Sequence, residues 1–178
     1  MNRELVWTAE RWPGIEHASV HSSDDGVTVD SVVVAGLDDG PVRLHYRLDC
    51  DIAWHPRHLV IQVYGHPDIR LSNTDNRWHG DDGTPFPDLD GCTDVDIALT
   101  PFTNTIPIRR LRLDHRESAD LDVIYIHPAS TVEISRKRQR YTRTDAGFRY
   151  ESGDFRADLQ VDEDGFVTNY PRLWTLLG

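Results

Sequence analysis

The sequence predicts an all-β chain, built as a sandwich or a barrel-like roll. Three observations carry that prediction. Short strand-and-turn units recur along most of the 178 residues. The apolar runs are β-branched or alternate with period 2, as half-buried pleated surfaces require. No segment of about a dozen residues holds a 3.6-residue period, so no long helix is expected.

The elements follow in order. Leu5 to Trp7 opens a short strand, which Trp12-Pro13-Gly14 turns. Ile15 to His21 is a second extended piece, and Ser22-Ser23-Asp24-Asp25-Gly26 is a turn cluster. Val27 to Ala35 is strongly β-branched, Gly36 to Pro41 turns the chain, and Val42 to Asp49 alternates with period 2. These two runs are expected to pair as a hairpin. Asp49 to His58 is irregular, Leu59 to Tyr64 is a strand, and Gly65 to Pro67 is a turn. Arg70 to Asp90, rich in Asp, Asn, Gly and Pro with Trp78 at its centre, is predicted to be a long polar loop. Leu121 to His127 is a strand, turned by Pro128-Ala129-Ser130. A meander of short strands follows: Thr131 to Ser135, Lys137 to Thr144, Phe148 to Glu151, Phe155 to Val161 and Phe166 to Thr168. Tyr170 to Leu177 is expected to close the chain as a turn of helix.

The densest stretch runs from Gly91 to Leu113. It starts as a strand in which Val95, Ile97 and Leu99 alternate with Asp94, Asp96 and Ala98. It breaks into the polar Thr100-Pro101-Phe102-Thr103-Asn104-Thr105 and resumes at Ile106. Arg109 and Arg110 would face opposite ways on a strand. The change of apolar phase from Ile106 and Ile108 to Leu111 and Leu113 therefore predicts a β-bulge between them.

Composition bounds the function. The length fits one domain spanning residues 1–178, with enough chain to bury a core. A net charge of -11 argues against nucleic acid as a partner and against general attraction to anionic membranes, while leaving room for a local basic patch. No secretory signal and no apolar run of about 18 residues is visible, so no transmembrane segment is predicted and the expected location is cytoplasmic. Cys50 and Cys92 read as two free thiols in preference to a disulfide. Oligomeric state and pathway are not legible.

The familiar catalytic and phosphate-binding motifs are absent, which lowers the weight of the common hydrolase, kinase and dehydrogenase classes. No cofactor and no metal is predicted. Asp51, His55 and His58 are metal-ligand types, but their spacing matches no closed site, and a solvated loop edge is the preferred reading. Asp81, Asp82, Asp88, Asp90, Asp94 and Asp96 could supply a pair of carboxylates for acid–base work on a sugar. Turn chemistry and a solvated strand face explain the same residues. Two basic runs, Arg109 to Arg116 and Arg136 to Arg143, suit anionic head groups, or simply partner the surplus of Asp. Four of the five tryptophans sit beside turns or in loops, where they could stack on sugar rings or plug the ends of a roll.

The pattern Gly91-x-x-Asp94-x-Asp96-Ile97-x-Leu99-x-Pro101-Phe102-Thr103-Asn104-Thr105-x-Pro107-Ile108-Arg109-Arg110-Leu111 resembles the bacterial putative glycolipid-binding family, a former domain of unknown function. Trp7, Tyr46-x-Leu48-x-x-Asp51-x-x-Trp54, Trp78 and the ending Val161-Asp162-x-Asp164-Gly165-x-Val167-x-x-Tyr170-Pro171-x-Leu173 support the match. The resemblance implies one large antiparallel sheet curled into a spiral β-roll or open barrel with little helix. For function it implies only a likeness to lipid-binding proteins; the leading expectation, motivated by polar and aromatic residues that interrupt strong strands, is non-catalytic binding of a lipid or glycolipid-like amphiphile, acyl chain inward and head group at a polar rim. The resemblance carries no catalytic residue. Trp54, Trp78, Phe102, Asn104, Arg109 and Arg110 are the expected rim residues, aromatics against apolar or sugar faces, Asn104 and the arginines against the head. The alternatives are an enzyme acting on a sugar or acyl substrate through paired Asp residues, and a structural or partner-binding β module.

Overall fold

The computed structural model of the protein describes residues 1–128 and 131–178. Fourteen strands form one curled, unclosed sheet. In chain order they are β1 Asn2–Ala9, β2 Gly14–Ser23, β3 Gly26–Leu37, β4 Gly40–Cys50, β5 Pro56–Val63, β6 Ile69–Thr74, β7 Arg77–Gly80, β8 Asp94–Ile97, β9 Ser118–Pro128, β10 Val132–Thr144, β11 Gly147–Ser152, β12 Phe155–Val161, β13 Val167–Tyr170 and β14 Trp174–Leu176. Strands β1 to β7 form one meander and β9 to β14 another, and β1 pairs with β14 to join them mid-sheet. Every pair is antiparallel except β8 with β9, which is parallel. The expected all-β sheet is therefore present, with that one pair departing from the antiparallel rule.

The turn chemistry follows the residues. Asp75 and Asn76, both at positive φ, make the two-residue turn of the β6–β7 hairpin, so much of the predicted polar loop is strand. Residues 131–144 hold one continuous strand, β10, where two were expected. The expected turn at Ala129-Ser130 lies outside the described residues. Tyr170 to Leu177 is the β13–β14 hairpin and contains no helix, Arg172 taking the left-handed position of its turn.

The bulge predicted between Arg109 and Arg110 is absent. Thr105–Leu111 is instead the single α-helix among the described residues, α1. Pro107 sits in its first turn, where a missing N–H costs no intrahelical bond. Ile106 and Ile108 are buried, and Arg112 at φ 47° ends the helix. The change of apolar phase reported a switch of period, from 2 to 3.6.

The concave face is filled by its own side chains. Trp7, Trp78, Trp174, Tyr46, Tyr141, Phe102 and Phe166 are all essentially inaccessible. The indole N–H of Trp7 donates to the Val167 carbonyl at 2.7 Å, and that of Trp78 to the Cys92 carbonyl at 3.0 Å, so burial leaves neither donor unpaired. Cys50 and Cys92 are buried free thiols, and burial pushes both up in pKa.

Candidate functional site

Two adjoining depressions open where the second meander meets the segment after β8. The inner one, about 280 Å³, has Asp96, Ile97, Thr100 and Asn104 on its floor. Tyr125, Tyr150, Tyr170, Phe155, Leu173 and Trp174 wall it, and Lys137 and Ser152 stand at its side. The outer groove, about 520 Å³, is lined by Glu10, Arg11, Phe155, Pro171, Arg172 and Leu173. Phe155 and Leu173 belong to both, so the two form one continuous surface.

The sequence builds this floor in steps. Asp96 lies on β8, the short parallel edge strand, with its side chain facing inward. It accepts hydrogen bonds from Gln139 Nε2 at 2.6 Å, Tyr150 OH at 3.3 Å and Thr103 Oγ1 at 3.4 Å. Burial nevertheless dominates and raises its pKa above the ordinary carboxylate value. Asn104, at the start of α1, donates through Nδ2 to Tyr141 OH at 2.7 Å. The rings interlock: Tyr150 packs on Tyr141, Phe155 and Tyr170 with centroids 5.3, 6.0 and 6.3 Å away. Burial raises the pKa of the Tyr150 and Tyr170 phenols, which as ordinary phenols are already protonated hydrogen-bond donors at neutral pH.

Behind the floor lies Glu16, fully buried on β2. Its Oε1 accepts from Tyr46 OH at 2.7 Å, Thr100 Oγ1 at 2.7 Å and Ser31 Oγ at 2.8 Å. Its Oε2 has no hydrogen-bond partner. Desolvation outweighs the three hydrogen bonds and lifts the carboxyl to about 7. Through Thr100, whose Oγ1 also accepts from the Phe102 N–H at 3.0 Å, this residue ties the first meander to the floor.

The six expected rim residues separate. Asn104 lies on the floor of the inner cleft. Trp54 and Arg109 meet elsewhere, with the guanidinium 4.6 Å from the indole centroid, in a shallow basin of about 440 Å³ that shares no lining residue with the cleft. Arg109 also donates to the Asp164 carbonyl. Arg110 grips Asp94 with Nη2–Oδ2 at 2.5 Å and Nε–Oδ1 at 3.0 Å. Trp78 and Phe102 are enclosed in the core.

The acids resolve differently from a solvated face. Asp94 and Asp96 are both buried, the first spent on Arg110 and the second on the cleft floor. Asp82 caps its own turn by accepting from the Thr84 N–H, and Asp90 accepts from the Trp78 N–H. Asp51 likewise accepts from the backbone N–H groups of Ala53 and His55. Asp162 accepts from those of Asp164 and Phe166, so Asp162-Glu163-Asp164-Gly165 is a turn. The sequence did not single out Glu16, Tyr150 and Phe155, and it named Lys137 only within a basic run and Tyr170 only within the family pattern. Strand parity was the available signal: Lys137, Gln139 and Tyr141 share one face of β10.

Comparison with known proteins agrees with the fold. No curated protein matches the chain. A DUF1089-family protein from Pseudomonas aeruginosa, known by crystallography, is 37% identical, with a TM-score of 0.82. The match covers 91% of this chain and 92% of that one. A family model described as "Putative glycolipid-binding" matches residues 4–175. With nearly its whole length accounted for by that model, the chain belongs to the putative glycolipid-binding family.

Proposed function

We propose that the protein binds an amphiphile with a sugar-like, polyhydroxyl head, and does so without turning it over. The head occupies the Asp96–Asn104 cleft and the apolar part lies along the Phe155–Leu173 groove. The observation that carries this reading is the cleft itself: aromatic rings stand over a floor of hydrogen-bonding groups, the composition that sugars favour. The family description points the same way. An acyl chain driven between the sheet walls would meet Trp7, Trp78 and Phe102, so the tail belongs in the open groove.

A hydrolytic reading draws on Asp96, whose raised pKa suits a general acid. Glycoside cleavage ordinarily uses two carboxyl groups flanking one bond. Among the described residues Asp96 is the single carboxylate lining the inner cleft, and this favours binding.

Calorimetric titration with octyl β-glucoside, below its micelle threshold, tests the proposal. Binding is expected, and Phe155→Ala should weaken it about three- to tenfold, the worth of one aromatic contact. Phe155 is 42% exposed, so the variant should fold normally. No heat of binding and no shift in melting temperature across a panel of alkyl glycosides would remove the proposal.

A further inference from the structure

The run Arg136-Lys137-Arg138-Gln139-Arg140 on β10 looks uniform in sequence and is divided by the sheet. Arg136, Arg138 and Arg140 lie on one face, beside acids of β9. Arg136 meets Asp122 at 2.5 Å, Arg138 meets Asp122 at 3.5 Å and Arg140 meets Asp120 at 3.8 Å. Lys137 and Gln139 lie on the other face. Gln139 is spent on Asp96, while the ammonium of Lys137 stands 3.3 Å from the centroid of the Tyr125 ring, at the side of the cleft. Among the described residues Lys137 forms no ion pair. It is the only lysine among the chain's 19 basic residues.

The adjoining groove repeats the pattern. Arg11 and Arg172 line it and are exposed, and neither forms an ion pair among the described residues. Its one acid, Glu10, accepts a hydrogen bond from Thr175 Oγ1 at 2.6 Å. Three uncommitted cations therefore surround this opening in a chain whose net charge is -11. Over most of the surface acids outnumber cations; around this opening three cations stand against two acids, Asp96 on the cleft floor, itself buried, and Glu10 in the groove. Elsewhere the basic stripe neutralises neighbouring Asp residues. Lys137 faces the space a ligand would fill.

We infer that the head group taken by this cleft is anionic, a polyol carrying a carboxylate or a phosphate, and that Lys137 is its charge partner. An ammonium on a flexible stem suits this task, because it supplies three rotatable donors without the fixed planar fork of arginine. The Tyr125 ring holds the ammonium against one wall; the Tyr170 phenol and the Asn104 side-chain oxygen are left for the hydroxyl groups, since the Tyr150 O–H is given to Asp96 and Asn104 Nδ2 to Tyr141. Arg11 and Arg172 extend the positive field toward the groove and increase the rate of capture.

This inference rests on the binding proposal above, and one set of titrations separates the two. Octyl β-glucoside, octyl β-glucuronide and a short-chain lysophosphatidylinositol are titrated at low salt into the whole protein, into Lys137→Met, and into Arg138→Met. Lys137→Met retains the apolar stem; Arg138→Met alters the opposite face of the same strand. The expected result is that at least one anionic ligand binds about two- to fivefold tighter than the glucoside, the range for an exposed ion pair. That ratio should fall to about one in Lys137→Met, persist in Arg138→Met and shrink with added salt. Preference for the glucuronide assigns the carboxylate, and preference for the lysolipid assigns the phosphate. If all three bind equally, the anionic head is wrong and polyol binding stands. A preference that survives in Lys137→Met overturns the assignment to that residue. If none binds, both proposals fail.

Discussion

Glu16→Gln should change how stability depends on pH more than it changes stability itself. The carboxyl titrates at its ordinary 4.5 when exposed and at about 7 in the fold. The folded state therefore holds this proton more tightly than the unfolded state does. The resulting stabilisation is complete below about pH 4.5, and is lost as pH rises through about 7. A displacement from 4.5 to about 7, at about 1.4 kcal/mol per pH unit, amounts to about 3 kcal/mol. Glutamine keeps the shape and cannot ionise. Its amide places donors where Oε2 now has no partner, a cost of about 1–3 kcal/mol that does not vary with pH. Urea unfolding of both proteins at intervals from pH 4.5 to 9 measures the effect. The wild-type minus variant difference should move by about 3 kcal/mol in favour of glutamine across that range. Taking the difference at each pH cancels the opposing contributions of Asp51 and Asp122, whose lowered pKa values make them stabilising above the acid range. Parallel stability curves would show that Glu16 does not titrate as its burial implies.

Two further substitutions test the packing around the site. Arg110→Met leaves the Asp94 carboxylate buried and unpaired, and denaturant unfolding should register a loss of about 3–5 kcal/mol, partly restored by adding Asp94→Leu. Gly147→Ala would place a Cβ 2.0 Å from the Leu159 carbonyl oxygen in the β11–β12 pair, and should destabilise by about 2–4 kcal/mol. Gly153→Ala, at φ 57° with open space around it, should cost about 1 kcal/mol, so equal losses at the two glycines would refute the steric argument.

The strands were legible because alternation and β-branching report a pleat directly, and β3, β4, β9, β11 and β12 fall where the pattern put them. The β6–β7 hairpin was hidden by its composition. Its Asp and Asn are loop residues by habit, yet here they supply the two positive-φ positions of a tight turn. Helix α1 was hidden by its length, since seven residues are too few to display a period. The site was harder for a different reason. Ile15 faces out and Glu16 faces in, which reverses the usual sorting, and only the company of Ala18 and Val20 on the same face betrays it. Lys137 was masked in the same way, as one charge in a run whose other members point elsewhere. Asn104 drew notice because it interrupts a strong strand sequence, and it lines the inner cleft. Which acids would be buried depended on contacts as distant as Glu16 with Thr100, and no local pattern encodes a pairing 84 residues apart.

The pairing of β1 with β14 also sets an order of events. On the ribosome β1 is made early and can pair at once with β2, but its other edge waits until thirteen further strands have been synthesised. The seam that finally satisfies it is narrow, with Trp7, Thr8 and Ala9 opposite Leu176, Thr175 and Trp174. The middle of the sheet is thus the junction between the first and the fourteenth strand in chain order. Until that junction forms the molecule is two half-sheets, each with an edge exposed to the wrong neighbour.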